Sequence, residues 1–222
     1  MRRFDDILMM AVERKGSFEA VLGDISAPKN TDELAAMKDS DWLACFARGI
    51  FQSGLAWQVI VNKWDGLEEA FHGFDIGRCA MMSDEWFDEL LADTRVIRSA
   101  PKIRSIQENA VFIQSVAAEA GSFGRKIGDW PARDYFGLLD WLKANGARLG
   151  GNTGAYALRM MGRDGFMMTR DVVARLVAEG VIDKAPSSKA AKAAVQAAFN
   201  TWHEESGRSF TEISRVLAYS ID

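Results

Sequence analysis

Residues 146–171 read GARLGGNTGAYALRMMGRDGFMMTRD, a run in which three glycines and an Asn-Thr pair precede an apolar stretch with Asp171 at its far end. A dinucleotide fingerprint or a P-loop follows a strand. This segment follows PARDYFGLLDWLKANG (131–146), an amphipathic helical pattern, and has neither the Rossmann spacing nor a Lys-Ser/Thr ending. What remains is helix, tight glycine hairpin, helix. In RLGGNTG (148–154) the glycines let the backbone come close to a ligand. Amides opening the next helix point outward with partial positive charge, which suits one phosphate of a nucleic-acid backbone. Taken alone, the segment equally fits an αα-hairpin that merely turns the chain.

Working outward, apolar residues recur at three and four spacing in WLACFARGIFQSGLAWQVIVNKW (42–64), DEWFDELLAD (84–93) and KIRSIQENAVFIQSVAAEAG (102–121). TRDVVARLVAEGV (169–181) and SKAAKAAVQAAFNTWHEE (188–205) repeat the pattern. No sustained alternation marks a sheet, so the spacing predicts an all-α protein. Helix punctuation agrees. Ser83 and Asp84 precede a helical run, Pro131 stands where a first-turn proline is tolerated, and Gly146 follows Asn145 where a left-handed C-cap belongs. The segment APSSKAA (185–191) reads as a linker ending in a serine cap. Trp130, Trp141 and Trp202 are expected between helices, and Met160, Met161, Met167 and Met168 as adaptable core filling.

A chain of 222 residues with 48% apolar composition can bury a core as one domain or two lobes. The N-terminal apolar run is too short and too interrupted by charge for a signal peptide, and no stretch reaches membrane-spanning length. The expected location is the cytoplasm. Cys45 and Cys79 offer neither a disulfide framework nor a CxxC metal site, and read as buried free thiols. Net charge is −4, yet it is segregated: −9 over residues 1–94, +6 over 95–175 and −1 over 176–222. A basic middle beside an acidic start is what a polyanion ligand needs, and is also compatible with an ordinary solvated surface. SDEWFDELLAD (83–93) reads most simply as a solvated helix face.

Two further stretches carry a resemblance. FQSGLAWQVIVNKWDGLEEAFHGFD (51–75), followed by RVIRSAPKIRSIQENAVFI (95–113), is similar to the bacterial 3-methyladenine DNA glycosylase I family pattern FQAGLSW-x-x-I-L-x-K, AF-x-x-FD, IIR-x-x-x-KI-x-A-x-I-x-NA. Phe51, Gln52, Gly54, Leu55, Trp57, Ile60, Lys63, Ala70, Phe71, Phe74, Asp75, Ile97, Arg98, Lys102, Ile103, Ile106, Asn109 and Ala110 match in order and spacing. The family's GFKFVG hairpin aligns on GARLGG, so the resemblance covers roughly residues 45–165. The chain also departs from the family. The zinc-binding Cys and His patterns are absent, so no metal is expected, and the family's base-recognition glutamate falls on Gly49.

The wider helix-hairpin-helix glycosylase superfamily places a catalytic aspartate after the hairpin. Asp171, heading DVVARL about sixteen residues past Ala155, resembles that aspartate. Thr153 stands where lyase members carry a nucleophilic lysine and cannot form their Schiff base, which implies a monofunctional enzyme. The resemblance thus implies a two-lobed glycosylase fold in one unit, with one lobe from roughly 1–30 and 165–222 and the other from 31–164. It implies hydrolysis of the N-glycosidic bond of alkylated purines in base excision repair. Asp171 is the expected catalytic residue, and Trp57, Phe51, Gln52 and Trp42 are expected to bind the base. Gly146, Arg148, Gly150, Gly151, Asn152, Thr153, Lys102 and Arg98 are expected on the DNA. A monomer acting on double-stranded damaged DNA, without cofactor or membrane, completes the expectation. The alternatives are a non-catalytic helix-hairpin-helix protein that recognises damaged or structured DNA, and an interaction domain without DNA affinity.

Overall fold

The computed structural model describes residues 1–221, and its fold is all-α, with no strand among them. The helices are α1 (Phe4–Lys15), α2 (Phe18–Leu22), α3 (Thr31–Ala35), α4 (Asp39–Gln52), α5 (Trp57–Ala70), α6 (Ile76–Ala80) and α7 (Asp84–Ala92). They continue as α8 (Ala100–Ala120), α9 (Phe123–Asp129), α10 (Tyr135–Asn145), α11 (Asn152–Met160), α12 (Arg170–Ala178), α13 (Lys189–Ser206) and α14 (Phe210–Tyr219). Among the described residues, no helix is long and apolar enough to cross a membrane.

Side-chain caps set many boundaries. Asn30 and Ser209 each form a capping box with the glutamate three residues on, and Ser83, Thr169 and Ser188 accept a first-turn amide of their helices. Three boundaries differ from the sequence reading. The apolar run 42–64 is two helices, broken at Ser53–Ala56 where Gly54 takes φ 78°. Pro131 opens a 3-10 turn (Ala132–Asp134) rather than α10 itself. Gly146 is not left-handed; Arg148 (φ 60°) and Gly151 (φ 61°) are. Gly146 is required for a different reason, because a Cβ there would come within 2.4 Å of Leu149 Cδ1.

The chain divides into two compact units. The first comprises Met1–Lys29, Pro131–Gly137 and Asp164–Asp222. Its core is aromatic: Phe166 stacks on Phe199 at 4.0 Å, ringed by Tyr135, Phe136 and Phe210, while Trp202 packs edge-on to Phe199. Both chain ends are tied into it by charge. Glu179 accepts from the Arg2 backbone amide (2.8 Å) and the Arg2 guanidinium (2.7 Å), and pairs with buried Arg175 at 3.2 Å. Arg175 also donates to the Ser220 hydroxyl and carbonyl.

The second unit comprises Asn30–Trp130 and Leu138–Arg163. Trp42, Phe46 and Phe123 form edge-to-face pairs in its core. Trp130 and Trp141 contact each other at its half-buried margin. Met161 is buried, whereas Met160 is exposed and is not core filling. The free thiols of Cys45 and Cys79 are buried, each against a backbone carbonyl, and burial pushes each up to about 12.

Candidate nucleic-acid interface

One face of the second unit gathers most of the residues singled out by sequence. The break between α4 and α5 creates it. With Gly54 left-handed and Ala56 giving no side-chain cap, α5 begins abruptly at Trp57. An indole at the first position of a helix has no preceding turn to cover it, and Trp57 is 63% exposed. Leu55, two residues earlier, is also exposed. Gln52, the last residue of α4, presents a buried side-chain nitrogen with no hydrogen-bond partner. Such an orphan donor costs about 1–3 kcal/mol until something accepts from it.

The segment from Gly146 to Gly151 forms the other half of this face. Three glycines fit here for steric reasons. Gly146 clears Leu149, the stem of Lys143 lies 3.2 Å from where a Gly150 Cβ would be, and a Gly154 Cβ would meet the Leu149 carbonyl at 2.6 Å. Gly151 caps α11 without a side-chain hydrogen bond, so the first amides of α11 keep their donors. Arg148 is exposed, as is Lys143, and neither has an acidic partner among the described residues. Asn152 is exposed and Thr153 half-buried at the start of α11.

Three interactions fasten the two halves. Lys102 Nζ donates to the carbonyls of Ser53 (2.6 Å) and Phe51 (3.1 Å) at the end of α4, where the helix dipole favours a cation. Asn109, fully buried, donates to the Ala147 carbonyl and accepts from the Ala147 amide, each at 2.9 Å. Along the α4–α11 seam, the Cys45 thiol donates to the Ala157 carbonyl, and a Cβ on Gly49 would stand 3.1 Å from Thr153 Cγ2. Burial, and secondarily the charge of Arg148, pull the Lys102 ammonium below its ordinary value.

Other expected residues are placed differently. Trp42 and Phe51 have no accessible surface: Trp42 packs against Phe46 and Phe123, and Phe51 against Phe71. Their hydrophobic bulk, matched by neighbouring rings, puts them in the core of the second unit rather than on the face. The Lys102 ammonium is committed to two carbonyls. Arg98 is exposed just before α8. Much of the basic middle is internally neutralised. Arg125 pairs with Asp32, Arg104 stands 3.8 Å from the Asp84 carboxylate, and Arg163 is buried with its guanidinium on the carbonyls of Ile127 and Trp130. Lys143 and Asn109 were not singled out for the interface by sequence, although Lys143 stands one turn before Gly146, where a last-turn cation is expected.

Asp171 belongs to the first unit. It is exposed in the first turn of α12, behind the N-cap Thr169, whose hydroxyl accepts from the Val172 amide. A carboxylate at that position is favoured by the helix dipole and stays accessible to solvent.

The second unit thus combines an exposed indole at the start of α5 with glycine-rich turns, uncapped amides at the start of α11 and the exposed cations Arg148 and Lys143. Residues 36–132 match the family model described as methyladenine glycosylase. The chain is 36% identical over 59 residues to DNA-3-methyladenine glycosylase 1 of Escherichia coli strain K12, a match covering 27% of this chain and 32% of that protein. It therefore spans about a third of that relative's length. Its fold is shared with 3-methyladenine DNA glycosylase I from Staphylococcus aureus, at 20% identity and TM-score 0.51, covering 57% of this chain and 77% of that one. A solved complex of a substituted 3-methyladenine DNA glycosylase I with 3-methyladenine matches at 20% identity and TM-score 0.51, covering 57% and 78%.

Proposed function

We propose that the protein is a monofunctional DNA glycosylase that removes alkylated purines of the 3-methyladenine type from double-stranded DNA in base excision repair. The observation that carries this reading is the exposed Trp57 on a stretch that matches the methyladenine glycosylase family model. An unstacked indole offers a face to a flipped base, and a cationic alkylated base gains cation–π attraction there. The orphan nitrogen of Gln52 supplies a donor at the same turn. Arg148, Lys143 and the uncapped amides from Gly151 to Thr153 hold backbone phosphates, which position the strand without reading its sequence.

Hydrolysis breaks the C1′–N bond, and its electron pair leaves with the base, which departs neutral if it was alkylated and cationic. Water oxygen bonds to C1′ and releases its proton. In this proposal Asp171 stabilises the oxocarbenium-like transition state and accepts that proton. No cofactor is required, and the protein works as a monomer in the cytoplasm. The test is chromatographic detection of free base from methylated DNA with wild type and Asp171→Asn. Release by wild type and its loss in the variant support the reading; equal release by both removes Asp171 from the chemistry.

A specific observation favours a second reading. Gly49 stands at the position of the family's glutamate, and the Thr153 methyl crowds the space a longer side chain would enter. A protein that binds lesions without cleaving them would show tight binding to methylated duplex and no free base.

A further inference from the structure

Among the side chains of α8 that bond backbone, Lys102 and Asn109 reach the two turns of this face, and they are seven residues apart. Seven residues are almost two full helical turns, so Lys102 and Asn109 lie on one face, about 10 Å apart along the axis. Lys102 closes on the carbonyls that end α4, immediately before the turn that presents Leu55 and Trp57. Asn109 pairs with both backbone groups of Ala147, immediately before Arg148 and the glycines. Neither turn has regular structure of its own, and each contains a left-handed residue, Gly54 in one and Arg148 in the other. A two-point backbone clamp is what such segments need to hold one geometry before a ligand arrives.

We infer that Lys102 and Asn109 are positioning residues: α8 is a brace whose first point sets the Trp57 indole and whose second sets the phosphate-facing turn at 147–151. The inference rests on the nucleic-acid reading above. Neither side chain has to touch DNA for it to hold. Because the points act on different turns, they separate two parts of binding, base stacking at one and backbone grip at the other.

The variants are Lys102→Met, Lys102→Arg and Asn109→Leu, compared with wild type by amide hydrogen exchange without DNA and by binding to a fluorescein-labelled methylated duplex at several salt concentrations. Lys102→Met is expected to speed exchange at Ser53 and Leu55 by about tenfold or more, since hydrogen bonds from a charged group are lost, and to leave Gly146 and Ala147 unchanged. Its binding weakens while the salt slope is retained. Asn109→Leu does the reverse, freeing Gly146 and Ala147 and flattening the salt slope. Lys102→Arg restores the wild-type exchange at Ser53 and Leu55. Faster exchange in both turns from either variant, or in neither, overturns the brace. The expected exchange pattern with unchanged DNA affinity and slope overturns its role in binding. Wild type that binds no DNA removes the nucleic-acid reading, while the exchange pattern still decides separately whether the brace exists.

Discussion

The buried charge network of the first unit and the exposed face of the second treat polar groups differently. In the first, Glu179 is buried and satisfied by Arg2 and Arg175, and Arg175 is satisfied in turn by Ser220. Its large rings close on one another, and Trp202 Nε1 donates to the Arg2 carbonyl. On the face of the second unit, among the described residues, the Gln52 nitrogen has no partner, the Trp57 indole is exposed, and Arg148 and Lys143 have no carboxylate. A polar network completed internally serves stability. Trp42 Nε1, deep in the core of the second unit, also lacks a partner among the described residues, so the Gln52 nitrogen bears on a ligand only together with the exposed Trp57 and the cations at the same face.

That contrast breaks if stability and binding do not separate between the two regions. The largest expected effect belongs to Glu179→Ala, which leaves Arg175 buried without its carboxylate and costs about 3–5 kcal/mol in denaturant unfolding. Acid mimics it. Burial raises the Glu179 carboxyl, but the amide and guanidinium of Arg2 and the guanidinium of Arg175 outweigh that and hold it below its ordinary 4.5. Its contribution is therefore complete above pH 4.5 and is lost as pH falls through the depressed folded value. Unfolding curves followed down in pH should show this loss in wild type and a weaker one in Glu179→Gln.

Next in size is the pair Trp42→Ala and Trp57→Ala. Truncating the buried Trp42 costs about 3–5 kcal/mol of stability, read as a fall in Tm. Trp57→Ala leaves the Tm in place and weakens binding to methylated duplex by about 1–3 kcal/mol, the range for loss of a base-stacking aromatic. A large drop in Tm from Trp57→Ala would return that indole to the core. Smallest is Arg148→Ala, expected to lower the salt slope of DNA binding by about 1 and to weaken binding to methylated and unmethylated duplex alike. A selective loss on methylated DNA would make Arg148 a base contact.

The helical class was legible throughout, because three-and-four periodicity runs almost the length of the chain. Interruptions to that periodicity were not. QSGLAW continues the apolar spacing of its neighbours, and only the left-handed Gly54 turns the run into two helices and exposes Trp57. Gly146 illustrates a similar limit: the residue type signals a tight place, but whether the cause is backbone handedness or a nearby Leu149 side chain depends on tertiary contact. Trp42, Phe51 and Trp57 share an apolar helical context in sequence. Burial separates them, and it depends on tertiary contact with Phe71, just past the end of α5, and with Phe123 of α9. Lys102 reads as a surface cation until the end of α4 is brought to it.

The most direct test is release of 3-methyladenine from methylated duplex DNA by wild type and by Trp57→Ala. The account predicts free base from wild type and at least about fivefold less from the variant, since stacking on one aromatic is worth about 1–3 kcal/mol. Wild-type protein that binds the duplex and liberates no base, or a variant that liberates as much as wild type, contradicts it.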